Sequence, residues 1–309
     1  MNSAFHRLMC NGDLCYGDGP HNTHNTLRRF SDCDVELSGL SIIKILYVKI
    51  KITRLEMPLL LDLAKIVINS INFQVDHAKT QTQYRKPLIG FASANDPLFN
   101  QMKEIIGPHH LHPTELLPDA QTVIAFFLPF AETVIEANRK GSQIAREWAI
   151  AYIETNELIA TISSELEKEL AGHGINVAIQ PATHNFNEQD LTASWSNKSM
   201  AYVAGLGTFG INHLLITPAG CGGRFGSMVI SAKITPSPRP TVENCLYLRD
   251  SKCQFCVKNC PTGALTLQGL DKQTCYAHLL EVDKLFPDLG LCDICGKCAV
   301  GPCAYYNNR

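Results

Sequence analysis

The sequence predicts an α/β domain built on a mixed sheet, followed by a small, cysteine-rich α+β domain. Three observations carry this expectation. Short apolar runs alternate with helical periodicity from Met57 onward. Pro236, Pro238 and Pro240 crowd into "TPSPRPTVE", a stiff stretch suited to a boundary. Nine of the 13 cysteines then fall between Cys245 and Cys303.

Taken in chain order, residues 1–56 form a poorly patterned extension. It is polar and aperiodic to Gly39 and then strand-like in "IKILYVKIKI". Its cysteines, Cys10, Cys15 and Cys33, read as free thiols. The α/β domain spans 57–234. "MPLLLDLAKIVINSINF" has helical spacing, and "KPLIGFAS" and "TVIAFFLPF" read as buried strands. Residues 142–171 read as a long helix with an apolar line through Ile144, Trp148, Tyr152, Ile159, Ile162, Leu166 and Leu170. "INVAIQ", "HLLITP" and "SMVISAKI" add strands. A Pro-rich linker covers 235–243, and the second domain covers 244–309.

Bulk properties exclude several classes. A net charge of −2 supplies no electrostatic pull toward nucleic acid or anionic membrane, so neither is expected as a partner. No apolar run is long enough to span a bilayer. The N-terminus lacks the order of a signal peptide, so a cytoplasmic protein with reduced thiols is expected.

"AGLGTFG", Ala204 to Gly210, contains a G-x-G-x-x-G in Gly205, Gly207 and Gly210. A dinucleotide loop needs a strand before it, a helix after it and an acid about 20 residues on. Here a helix ("SNKSMAYVA") precedes, a strand follows, and no acid falls between Gly210 and Glu243. The dinucleotide reading is rejected. What remains is a small-residue turn, echoed by "GCGGRFG", that either packs tightly or lets backbone approach a large flat ligand.

The cysteines carry the chemistry. Cys253-x2-Cys256-x3-Cys260-Pro261 follows the bacterial ferredoxin spacing, in which the last cysteine serves the other cluster. Cys245 stands in for the displaced first ligand. Crossing the ligands as ferredoxins do assigns Cys245, Cys253, Cys256 and Cys303 to one 4Fe–4S cluster. Cys260, Cys275, Cys295 and Cys298 go to the other, leaving Cys292 spare. A second frame exchanges Cys303 for Cys292. Two zinc ribbons are the competing chemistry, and the C-x3-C-P turn with overlapping ligand order favours iron.

With these motifs in place, the chain resembles the epoxyqueuosine reductase-like family, cobalamin-dependent iron–sulfur reductases. The resemblance rests on "AYVAGLGTFGINHLLITPAGCGGRFGSMVISAKI", "CPTGAL" and "TCYAHLL", and covers about residues 85–309. It implies a ferredoxin-like two-cluster tail and a cobalamin held in the α/β domain, with Ala204, Gly205, Leu206, Gly207 and Gly210 against the corrin. It places Asp190 near the family's catalytic aspartate. Asp190 and Glu188 are the candidate proton donors, and Arg224 is a candidate for meeting substrate or cofactor. "GPHHLHP" reads as a surface loop. Two functions follow. One is a reductase passing electrons from an external low-potential donor through two clusters to a corrinoid and a small substrate. The other is an electron-transfer protein that only docks a redox partner. A deep pocket beside the clusters favours the first.

Overall fold

A computed structural model describes residues 63–181, 186–187 and 189–306. The readings of residues 1–56 and of Glu188 lie outside the described residues. Among those described, no helix is long and apolar enough to cross a membrane.

The chain runs α1 (63–76), β1 (Leu88–Ser93), α2 (Pro97–Ile105), α3 (Pro113–Leu116), β2 (Thr122–Pro129), α4 (Glu132–Arg139) and α5 (Arg146–Ala171). It continues through β3 (Val177–Ile179), β4 (Phe186–Asn187), β5 (Thr192–Ala193), α6 (Asn197–Val203), β6 (Thr208–Phe209), β7 (Leu215–Ile216) and β8 (Gly223–Ile230). The cysteine-rich part holds α7 (Leu246–Asp250), α8 (Phe255–Lys258), α9 (Lys272–Asp283) and a 3-10 turn (Lys297–Ala299).

The main sheet has the order β1-β2-β8-β3, and every pairing in it is antiparallel. This corrects the expectation of a mixed sheet. The runs were apolar throughout because both faces are covered, and such runs carry no information about strand direction. In β2, Val123, Ala125 and Phe127 join one core cluster while Ile124, Phe126 and Leu128 join the other, the period-two alternation of a strand. The first face is covered by α2 and α6 through Phe99, Met102, Met200 and Val203. The second is covered by α1 and α5. Leu63, Val67, Ile71 and Val75 fall at steps of four along α1 and meet Ile162, Leu166 and Leu170 of α5.

The Pro-rich segment does not hang free. Ser237 N–H donates to Phe91 O (2.9 Å), and Phe91 N–H donates to Ser237 Oγ (3.0 Å). Arg239 donates to Val203 O (3.1 Å) and pairs with Asp96. The segment therefore lies along the open edge of β1, satisfying edge groups that would otherwise face solvent.

The cysteine-rich part packs directly on the α/β part. Phe130, Val134, Trp148 and Tyr152 share one core cluster with Val282, Phe286, Val300 and Ala304. Cys221 N–H donates to Cys303 O (3.0 Å) and Gly222 N–H to Ala304 O (2.9 Å). Gly220, at φ +93°, leaves no room for a side chain, because a Cβ would lie 2.3 Å from Ala304 O. The expected α+β character is reduced among the described residues to one bridge, Leu265 with Leu270.

The "GPHHLHP" loop is also more buried than expected. His110 is 1% exposed and stacks at 6.2 Å on Trp195. Burial pushes the His110 and His213 imidazoles down to about 4. An unfolded histidine titrates near about 6.5. Between those values the unfolded chain binds protons that the folded chain refuses. Stability is therefore full above about pH 6.5 and falls as pH drops toward about 4, by up to about 3 kcal/mol per histidine. Urea unfolding of the chain should show a lower midpoint at about pH 5 than at about pH 7, and His110→Leu should flatten that slope.

Candidate metal centre and cavity

Cys245 caps the N-terminus of α7, Cys253 precedes α8, Cys256 lies within it, and Cys303 follows the 3-10 turn. All four surround one small void, with Ile216, Phe255 and Pro302. Cys260 follows α8, Cys275 lies in α9, and Cys295 and Cys298 straddle the start of the 3-10 turn. These four line a second, larger cavity of about 230 Å³. Asn212 lines both spaces and donates to Cys298 O (3.2 Å), so the two share a wall.

Cys292 stands in neither group. It is fully buried in the core beside Phe286, and its N–H donates to Asp283. Cys221, which sequence spacing did not single out, lies 3.9 Å from Cys303 and also lines the large cavity.

The donor chemistry suits a metal cluster. Burial first, then the neighbouring thiols, push Cys256 up to about 12 and Cys275 up to about 11. Such thiols ionise together only around a cation. Cys260 differs. Burial raises it, but the Leu265 N–H (3.4 Å) and the Thr262 side chain (3.7 Å) outweigh that and hold it below the usual thiol range. Gly263, at φ +69°, makes the turn that aims these groups at its sulfur.

Among the described residues no three Cys, His, Asp or Glu side chains converge on a single ion. Four thiolates on one zinc would bring their sulfurs to about 3.8 Å of one another. A cluster on Cys260, Cys275, Cys295 and Cys298 would take up part of the cavity of about 230 Å³ that they line. At the other quartet the void is about 10 Å³.

The remaining predicted residues divide. Arg224 lines the large cavity. It lies 4.4 Å over the Tyr152 ring, and Tyr152 O–H donates to Asp293 (2.8 Å). Burial, foremost, raises the Asp293 carboxyl to about 6. Ala204, Gly205, Leu206, Gly207 and Gly210 are not among the lining residues. A Cβ on Gly205 would lie 2.5 Å from Pro238 O, one on Gly207 2.2 Å from Ile216 O, and one on Gly210 2.6 Å from Ile216 Cδ1. These glycines serve close packing of α6, β7 and the Pro-rich segment. The alternative left open by the sequence, a tight turn, is the one the geometry displays.

Asp190 is exposed, and its carboxylate accepts from Thr192 N–H (3.0 Å) and Oγ (2.6 Å). Its neighbour Leu191, at φ +53°, lines the cavity instead. Lys272 Nζ donates to Asp190 O (3.2 Å) and Leu191 O (3.4 Å), and Gln273 donates to Gln189 O (2.9 Å). The helix that carries Cys275 thus pins the β4–β5 hairpin. Lys198, His213, Lys272 and His278 also line the cavity. They come from separate segments and share no spacing that would have marked them.

No family model matches the chain. In sequence it is 24% identical over 225 residues to the epoxyqueuosine reductase of Staphylococcus aureus, covering 65% of this chain and 54% of that one. It is 26% identical over 193 residues to that of Listeria monocytogenes, covering 60% and 46%. With that of Bacillus cereus it shares 26% over 229 residues, covering 65% and 54%. The chain resembles epoxyqueuosine reductases in sequence and spans about half the length of these relatives. Solved structures similar to it include a selenomethionine-labelled epoxyqueuosine reductase, at TM-score 0.49 and 18% identity over 80% of this chain and 68% of that one. Another is an epoxyqueuosine reductase with an epoxyqueuosine-modified tRNA-Tyr stem loop, at TM-score 0.49 and 19% identity over the same shares, 80% and 68%.

Proposed function

We propose that the chain is an iron–sulfur reductase acting on a small molecule in the cavity beside Cys260, Cys275, Cys295 and Cys298. One observation carries this reading. The eight cysteines form two quartets with a common wall, and one quartet opens into a cavity of about 230 Å³. An electron-transfer protein without a substrate needs no such cavity, so the docking-only alternative is not favoured.

Cys245, Cys253, Cys256 and Cys303 would hold one 4Fe–4S cluster, and Cys260, Cys275, Cys295 and Cys298 the other. Such clusters, when bound, take up and release single electrons. The donor, an external low-potential reductant, is oxidised and the molecule in the cavity is reduced. The protein supplies spacing and access. Asn212 keeps the two quartets adjacent. Trp148, Phe225, Leu265, Leu270 and Leu279 make part of the cavity wall apolar. Lys272 holds the β4–β5 hairpin against it.

The resemblance also implies a corrinoid facing the glycine element. Those residues do not line the cavity, so it offers no space for a corrinoid against them. No step is routed through a corrinoid.

Anaerobic titration with dithionite tests the proposal. Each chain should take up about two electrons, one per cluster, with bleaching of the visible absorption. A colourless chain that takes up none would overturn it.

A further inference from the structure

We infer that the buried ammonium of Lys297 is the fixed counter-ion of the cluster held by Cys260, Cys275, Cys295 and Cys298, and that it raises that cluster's reduction potential. The inference deepens the function proposed above and rests on it.

Lys297 opens the 3-10 turn between Cys295 and Cys298. It is 2% exposed, which is rare for a lysine, because burial strips the ammonium of water. Its Nζ donates to Asn138 O (2.7 Å) and Gly141 O (3.1 Å), at the C-terminal end of α4. Both acceptors are neutral. Among the described residues no carboxylate pairs with it. Buried charges in folded chains are paired or sit beside a metal group. The anion that acts on this one is the Cys295 thiolate. Lys297 is not among the residues lining the large cavity. The ammonium therefore stands behind the wall that carries Cys295 and Cys298, out of reach of a molecule in the cavity.

The residue is held from two sides. Asn138 is fully buried, donates through Nδ2 to Cys295 O (2.9 Å) and accepts the Ala145 N–H at Oδ1 (3.1 Å). Asn259 Nδ2 donates to Lys297 O (2.7 Å). Asn138 thus ties the Cys295 backbone and the Lys297 head group together. A charge so fixed does not swing to solvent, and salt screens little of its field. A 4Fe–4S cluster on thiolates is a net anion that grows more negative on reduction, and net charge is one of the things that set its potential. A fixed cation beside it stabilises the reduced form more than the oxidised form, so the potential rises. The competing role is a lysine that only caps the last carbonyls of α4. That role leaves the potential where it is.

Anaerobic redox titration of the cluster-loaded chain, followed by electron paramagnetic resonance, tests this with substitutions of Lys297. Lys297→Met and Lys297→Gln should each make reduction of one cluster at least about tenfold less favourable, a downward shift of about 59 mV for a one-electron couple. Glutamine keeps a donor for the α4 carbonyls, so lost capping does not account for its shift, and it serves where the methionine chain fails to fold. Lys297→Arg keeps the charge and should keep most of the potential. In a Cys275→Ala chain, which retains only the other cluster, Lys297→Gln should shift nothing. An iron-loaded Lys297→Gln chain with both potentials unchanged, or an equal shift in Lys297→Arg, would overturn the counter-ion and leave the reductase standing. Iron analysis of the unsubstituted chain reads the functional proposal separately, and a chain holding none overturns both.

Discussion

Replacing Cys275 with alanine should remove about half of the iron, leaving about four of about eight atoms per chain. Cys275 lines only the large cavity, and the thiols acting on it are Cys295 and Cys260 of the same quartet. Its loss leaves three thiolates there and does not touch the other four. The substitution should also abolish electron delivery to the cavity, because the quartet that borders it is the one emptied. Cys256→Ala should remove the other half, since Cys256 belongs with Cys245, Cys253 and Cys303. Cys292→Ala should keep all of the iron and cost only packing, because Cys292 is buried in the core away from both quartets. Iron and sulfide analysis of the three purified variants checks this. Loss of iron from Cys292→Ala with retention in a chain carrying Cys303→Ala would reassign the ligand.

Gly296→Ala should be among the most damaging single-methyl substitutions in the chain. Gly296 sits between Cys295 and Cys298 at φ +68°, and a Cβ there would lie 2.2 Å from Trp148 Cε2. Trp148 has little freedom to yield. It is 4% exposed and meets Phe130 edge-on at 5.3 Å. Left-handed backbone costs an alanine about 1–2 kcal/mol, and overpacking of a closed site adds about 1–3 kcal/mol. The expected loss is about 3 kcal/mol by urea unfolding. Gly263→Ala is the matched control. Gly263 has φ +69°, but nothing lies within 4 Å of its Cβ position, so only the backbone cost of about 1 kcal/mol applies. Equal losses in the two variants would show that Trp148 moves aside freely.

Much of this arrangement was legible before any coordinates. Ferredoxin crossing of the cysteine spacing sorts the eight cysteines into the two sets that line the two spaces. "TVIAFFLPF" and the 142–171 periodicity become β2 and α5. Other features had no local signature. Strand direction is invisible in a run buried on both faces. The first half of β8, Gly223 to Phe225, reads as a glycine turn because its pairing with β2 is set by residues about a hundred positions away. The glycine element drew attention as a ligand loop because small residues suit a flat ligand and close backbone packing equally. Only the contacts with Pro238 and Ile216 tell the two apart. Asp190 was placed by its position before α6, yet a backbone twist at Leu191 turns its carboxylate to Thr192. The polar cavity lining, Lys198, His213, Lys272 and His278, is assembled by tertiary contact alone.

The most direct test is the metal inventory of the chain purified without oxygen. About eight irons and about eight acid-labile sulfides per chain, without zinc, is the expected result. A colourless chain holding about two zinc ions would contradict it, because zinc carries no electrons.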